Sequence, residues 1–150
     1  MILKANSVKG ELVEGASPGL EQRIAQAGGL QNMGVNIVTL MPGMTSSQRH
    51  WHEVEDEFLY MLEGQATVIE NDGEHIIGPG DMCCWPGGVA NAHHLKNKSD
   101  APVRYLIVGS GAPFDQVHYP DEGQLLHNAP PRWWVEDAAG NIVREGLTDA

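Results

Sequence analysis

The stretch that decides the fold runs from Gly43 to Gly64 and reads GMTSSQRHWHEVEDEFLYMLEG. His50 and His52 are two residues apart, so on a β-strand both imidazoles point to the same face. Glu57 follows after residues 53–56, a segment suited to a turn. Two imidazoles and a carboxylate that converge on one wall make a first-row transition-metal site plausible.

A second stretch, Gly80 to Gly88, reads GDMCCWPGG and is followed by His93 and Asn97. With the first stretch, it resembles the cupin superfamily, whose motifs run Gly-x5-His-x-His-x3–4-Glu-x6-Gly and Gly-x5-Pro-x-Gly-x2-His-x3-Asn. The first motif matches from His50 to Gly64 without a gap, with one extra residue before His50. The second carries two extra residues before His93. The resemblance implies an all-β, double-stranded β-helix (jelly-roll) barrel.

The resemblance also implies a metal-ligand set, which we carry over as His50, His52, Glu57 and His93. His94 is an alternative to His93, but the spacing to Asn97 favours His93. On a regular strand His94 points to the opposite face, so the two neighbours cannot both be ligands. A single histidine on a strand is more often a packing or surface residue, but four ligand-type residues at two matching spacings favour metal binding.

The expected cofactor is one divalent transition metal: Fe, Mn, Ni, Co or Zn suits three imidazoles and one carboxylate. Such a set leaves one or two coordination positions open for substrate, water or dioxygen. Side chains predicted on inward-facing strands could contact a substrate; these are Trp85, Met61 and Tyr105.

The resemblance implies many activities, because the fold and its ligands do not fix a reaction. Our first hypothesis is a small metalloenzyme, of dioxygenase, isomerase, lyase or decarboxylase type, acting on a low-molecular-weight organic acid, phenol or sugar derivative. The alternative is a non-catalytic cupin that binds a small molecule and whose metal is structural or tethers the ligand. A metal-free structural cupin is a third hypothesis.

Composition argues against some classes of binding partner and indicates a cellular compartment. A chain of 150 residues with a net charge of −11 is poorly suited to nucleic acid or an anionic membrane surface, which attract cationic proteins. The sequence shows no secretory signal and no run of about 18 apolar residues. Its two cysteines, Cys83 and Cys84, are neighbours that do not form an ordinary bridge. We therefore expect a cytoplasmic protein.

We predict one domain over residues 1–150, with an N-terminal arm (1–27), a barrel (28–109) and a C-terminal extension (110–150). Residues 93–97 and 103–109 are predicted to form a hairpin, and the extension to end in a closing hairpin around residues 137–140. Trp133 and Trp134 indicate that this hairpin covers something: either the outer sheet of the barrel or a partner subunit. Because jelly-roll cupins often pair through their sheets, we expect a homodimer.

Overall fold

The structure is a computed structural model that describes residues 1–13 and 19–148. Residues 14–18 and 149–150, which belong to the predicted arm and extension, lie outside the described residues. Within the described part, no helix has the length and apolar character needed to cross a membrane. The elements are β1 (Glu11–Val13), β2 (Gly19–Arg23), α1 (Ile24–Gly28), β3 (Gly34–Leu40), β4 (Trp51–His52), β5 (Glu57–Glu63), β6 (Ala66–Glu70), β7 (Gly73–Ile77), β8 (Met82–Trp85), β9 (His94–Lys96), β10 (Val103–Gly109), β11 (Asp115–Tyr119), β12 (Gln124–Ala129), β13 (Arg132–Glu136) and β14 (Ile142–Leu147).

The strands form two layers. One layer is a six-stranded sheet in the order β1-β2-β3-β10-β5-β8. The other combines a five-stranded sheet, β14-β13-β12-β11-β4, with a three-stranded sheet, β7-β6-β9. Two isolated antiparallel bridges join these sheets, one between Thr45 and Lys96 and one between His50 and His93. The predicted all-β jelly-roll fold is confirmed.

The hydrophobic core lies between the layers, where side chains of β3, β5, β8 and β10 meet those of β6 and β9. Leu59 and Met61 on β5 are completely buried, and Val68 on β6 is 2% exposed. Alternation along β5 sends Tyr60 outward, where it is 36% exposed. Burial of this apolar surface is the main force that holds the layers together.

The predicted hairpin between residues 93–97 and 103–109 is wrong. β9 pairs with β6, whereas β10 lies between β3 and β5 in the opposite layer. The chain crosses between layers at Asn97, which is fully buried. Its side-chain amide donates hydrogen bonds to the carbonyl oxygens of Leu40 and Ala101. Asn97 therefore fixes a crossover, which is why neighbouring strands in sequence do not pair here.

The predicted N-terminal arm joins the sheet of its own chain. β2 pairs with β3 in antiparallel register, with Leu20 opposite Thr39 and Arg23 opposite Asn36. β1 extends the same edge, and α1 ends at Gly28 with Gly29 in the left-handed conformation. The arm thus lengthens the six-stranded layer by two strands.

The C-terminal extension contains the predicted closing hairpin, formed by β13 and β14. It also contains β11 and β12, which the sequence did not indicate because polar residues such as Asp115 and Asn128 interrupt the apolar alternation. Trp133 and Trp134 point to opposite faces: Trp133 lines a cavity, and Trp134 stacks on His127 with ring centroids 4.6 Å apart. The extension continues the sheet of β4, and the homodimer stays a prediction.

The adjacent cysteines on β8 occupy different environments. Cys83 packs partly buried against the core, and its burial raises the pKa of the thiol to about 11. Cys84 is exposed. Both are free thiols, as the sequence predicts.

The glycines of both sequence motifs adopt positive φ angles; they are Gly43, Gly64, Gly80 and Gly88. Gly64 ends β5 at φ +78°, a region that other residues rarely adopt. A Cβ atom at this position would lie 2.6 Å from the carbonyl oxygen of Pro102. Both the dihedral angle and the close approach therefore require glycine.

We predict that Gly64→Ala lowers the free energy of unfolding by at least about 2 kcal/mol, because it combines a strained φ with a backbone clash. Gly78→Ala is the control, since a Cβ there meets no atom within 4 Å. It should stay within about 1 kcal/mol of wild type. Urea unfolding of the two variants checks this, and equal stabilities would contradict the assigned strain.

Candidate metal centre

Backbone pairing brings the two sequence motifs together. The amide of His50 donates to the carbonyl oxygen of His93 at 3.1 Å, and the amide of His93 donates back at 2.9 Å. The imidazole ring centroids of these residues are 5.2 Å apart. His52 continues the same segment as β4, and its ring centroid also lies 5.2 Å from that of His50. Three imidazoles thus occupy one patch of one layer.

Glu57 reaches this patch from the opposite layer, where it begins β5. Its Oε2 lies 2.8 Å from His93 Nε2 and 3.7 Å from the Nε2 atoms of both His50 and His52. Two atoms bound about 2.1 Å from one ion are separated by about 3 Å when adjacent and about 4.2 Å when opposite. These separations are therefore of the size that a shared ion requires.

The other ring nitrogen of each histidine is held by an oxygen. His50 Nδ1 lies 2.8 Å from the Gln48 carbonyl oxygen, and His93 Nδ1 lies 3.0 Å from that of Asn91. His52 Nδ1 lies 2.6 Å from Asp115 Oδ2. Carbonyl oxygens only accept, so Nδ1 of His50 and of His93 donates to them. The Nε2 atoms then face Glu57, and a metal between these groups would be bound by Nε2 in its unprotonated form.

This donor set fits a cation. Three Nε2 lone pairs and a carboxylate converge, and without positive charge between them they would repel one another. A proton could relieve the single contact between His93 and Glu57, but one proton cannot bridge all four groups. A divalent transition metal suits these groups, because neutral imidazole and carboxylate are its ordinary ligands. Ligand atoms of His50, His52 and Glu57 lie within 4.8 Å of one another, and His93 adjoins this group through its 2.8 Å contact with Glu57 Oε2.

The protonation states favoured by the surroundings agree with this arrangement. Burial lowers the pKa of His50, because it disfavours the imidazolium form. Burial alone would raise the pKa of Glu57, but the hydrogen bond with His93 and the neighbouring imidazoles lower the pKa overall. A neutral His50 and an ionised Glu57 are the forms that bind a metal.

His94 points away from this cluster, as strand alternation predicts. Its Nδ1 lies 2.9 Å from the carbonyl oxygen of Ser47 on the other side of the strand. His93, by contrast, is buried and stacks on Trp85 with ring centroids 3.8 Å apart. The Trp85 indole in turn donates to Glu70 Oε1 at 2.6 Å. The structure therefore places His93 with the cluster, and its role as a ligand stays a prediction.

A cavity of about 200 Å³ lies inside the barrel beside the cluster. His50, Glu57 and His93 line it, together with Trp85 and Tyr105. Two of the three predicted substrate contacts therefore face the cavity. Met61, the third, is fully buried in the hydrophobic core and is not among the side chains that line this cavity.

A larger cavity, of about 460 Å³, opens on the side of His52 that faces the C-terminal sheet. Sequence reasoning missed its polar side chains, which are Gln48, Glu55, Asp115, Tyr119, Asn128 and Arg144. Asp115 holds His52 and also accepts hydrogen bonds from the backbone amides of Val54 and Gln116. Burial raises the pKa of the Glu55 carboxyl, which lies beside His52 and Asp115.

Asp115 and Arg144 lie outside the motif segments, so no spacing signal pointed to them. The one available hint is the pair of indoles near the end of the chain, because Trp133 lines this cavity. Glu55 does lie between motif residues, but the sequence of residues 53–56 indicates only a turn.

Known proteins are similar to this chain along most of its length. A sequence model described as a cupin domain matches residues 36–109. A protein from Silicibacter pomeroyi DSS-3, described as a sugar phosphate isomerase of the cupin superfamily, is 33% identical, with a TM-score of 0.77. That match covers 96% of this chain and 92% of the other. This chain is a member of the cupin superfamily.

Two further proteins are similar to this chain, one over nearly its whole length and one over about half of it. A provisionally named sugar phosphate isomerase from Acidithiobacillus ferrooxidans ATCC 23270 is 27% identical, with a TM-score of 0.88 over 99% of this chain and 97% of the other. Quercetin 2,3-dioxygenase from Bacillus subtilis (strain 168) is 30% identical over 82 residues, which is 54% of this chain. This chain spans only 24% of the dioxygenase's length.

We predict that Asp115→Asn weakens metal affinity about 10- to 100-fold, because a carboxylate behind a ligating histidine fixes its tautomer and raises its basicity. Asp121→Asn is the matched control: Asp121 is an exposed carboxylate paired with Arg49. Competition with a chelator of known affinity measures both variants. Equal affinities would show that Asp115 does not support a ligand.

Proposed function

We propose that this cupin is a metal-dependent enzyme that interconverts the aldose and ketose forms of a sugar phosphate. The observation that carries the proposal is the convergence of His50, His52, His93 and Glu57 beside a cavity built by the C-terminal sheet. Two relatives described as sugar phosphate isomerases support the choice of reaction, because their similarity extends over nearly the whole chain.

The proposed isomerisation moves one hydrogen between two neighbouring carbons and one between their oxygens, and it needs no oxidant. A divalent ion held by the three imidazoles and Glu57 would polarise the substrate's carbonyl oxygen and stabilise negative charge that develops on it. The protein must also supply a group that takes a proton from one carbon and returns it to the next.

Glu55 is our candidate for this proton transfer. Two carboxyl groups line the larger cavity, and Asp115 is already engaged by His52 and two backbone amides. Glu55 faces the same cavity and lies next to His52. Of the proposed ligands, His52 alone lines this cavity, so a substrate bound here would approach the cluster past His52, with the Glu55 carboxyl beside it.

Metal binding is the first test. We expect the protein, purified without chelators, to contain about one equivalent of Fe, Mn, Ni, Co or Zn by elemental analysis. His52→Ala should lose most of this metal, because it removes one of the proposed ligands. His118→Ala, which removes a histidine stacked on Trp51 outside the cluster, should retain the metal. Full retention by His52→Ala would refute the site.

Catalysis is the second test. Metal-loaded protein is incubated with a panel of aldose phosphates, and conversion to the ketose is followed by NMR. Glu55→Gln should reduce kcat at least about 100-fold while metal content stays unchanged, since general acid–base groups contribute about 10²–10⁴-fold. Glu53→Gln is the control, because Glu53 is engaged with His118 on the surface.

Each outcome of this assay separates the hypotheses. Turnover that survives Glu55→Gln would refute the role of Glu55 but not the reaction. A protein that holds metal and binds sugar phosphates without converting them would favour the non-catalytic binding cupin. Oxygen consumption with a phenolic substrate, and no isomerisation, would favour a dioxygenase instead.

A further inference from the structure

The larger cavity is lined by one row of paired residues that crosses the C-terminal sheet. Pairing along the five-stranded sheet aligns His52 with Val117, Val117 with Leu126, Leu126 with Val135 and Val135 with Arg144. Residues that pair directly across antiparallel strands share a face, so this row runs from the proposed metal ligand to Arg144. Counted along the sheet, its ends are four strand spacings apart, a path of about 19 Å.

The charges at the two ends of this row are opposite. Near His52 the cavity holds the carboxyl groups of Glu55 and Asp115, and Glu57 lies behind them. At the far end lies Arg144, the one cationic side chain among the lining residues. The middle of the row is apolar. Of the side chains that line this cavity, only Arg144 offers a phosphate a permanent positive charge.

Arg144 is available for such a contact. Within residues 1–13 and 19–148, no carboxylate lies within ion-pair distance of its guanidinium. Its contact in the structure is a long hydrogen bond, 3.4 Å, to the side-chain oxygen of Gln124. Arg132, on the other face of the same sheet, instead pairs with Glu145 and lies over Trp134. Guanidinium groups bind phosphate through paired hydrogen bonds.

We propose that Arg144 binds the substrate's phosphate at the outer end of this cavity and thereby sets which end of the sugar reaches His52. This inference rests on the proposed function for the identity of the substrate. It makes Arg144 a specificity-determining residue, and it makes the apolar row between Val117 and Val135 the floor on which the carbon chain lies. A cavity of about 460 Å³ falls within the range of small-molecule sites.

The test measures binding separately from turnover. Titration calorimetry with the metal-loaded protein compares glucose 6-phosphate, glucose, glucuronate and inorganic phosphate for wild type, Arg144→Gln, Arg144→Lys and Arg132→Gln. We expect Arg144→Gln to weaken glucose 6-phosphate binding about 10- to 100-fold, the usual effect of losing a charged hydrogen-bonded pair. Arg144→Lys should recover part of the loss, and Arg132→Gln should bind as wild type does.

Kinetics with the sugar phosphate that the enzyme converts should show a KM increased by a similar factor, with kcat changed less than about threefold. Metal content should be the same in all variants, because Arg144 lies four strands from the cluster. Unchanged affinity in Arg144→Gln, or an equal loss in Arg132→Gln, would overturn the proposal. Glucuronate binding as tightly as glucose 6-phosphate would overturn the assignment to phosphate.

The two proposals can fail independently. If no sugar phosphate is converted, the proposed reaction is wrong. A loss of inorganic phosphate binding in Arg144→Gln would even then support an anion site at this end of the cavity. If conversion occurs and Arg144→Gln leaves KM unchanged, the reaction stands and the role of Arg144 is refuted.

Discussion

The reciprocal pair of backbone hydrogen bonds between His50 and His93 is the constraint on which the site depends. The two residues belong to separate motifs, and with the bridge between Thr45 and Lys96 this pair joins two sheets of the second layer. Directly opposed residues of an antiparallel pair project their side chains to the same face. The bridge between His50 and His93 therefore helps to close the second layer of the jelly roll and also places two imidazoles side by side.

Glu57 brings a negative charge to the site, and backbone pairing does not balance this charge. It enters from the other layer, so the cluster spans the space between the sheets, where charge is poorly solvated. In the proposal, a metal would replace repulsion between lone pairs by four bonds across the layers. Because a ligand that binds only the folded state stabilises it, metal binding and barrel stability would then be coupled.

The jelly roll and the residues of the cluster could be predicted because the motif spacings resemble those of the cupin superfamily. Strand alternation and glycines such as Gly64 at forced turns are the physical basis of those spacings. Strand alternation likewise separated His93 from His94. The strand partners of β9 and β10 could not be predicted. The chain crosses between the layers at this point, and that crossover depends on the buried hydrogen bonds of Asn97. Asp115 and Arg144 were missed because long-range strand register alone places them at the cavity.

The C-terminal sheet changes what a small barrel can recognise. The barrel's own cavity is small, about 200 Å³, and three of the four cluster residues line it. β11 to β14 add a second wall in register with His52, and each strand contributes one residue to the row that ends at Arg144. Under the proposed function, the barrel supplies the metal and the extension supplies specificity. This division is consistent with the comparisons: the cupin-domain match ends at residue 109, whereas the two sugar phosphate isomerase matches cover 96% and 99% of this chain.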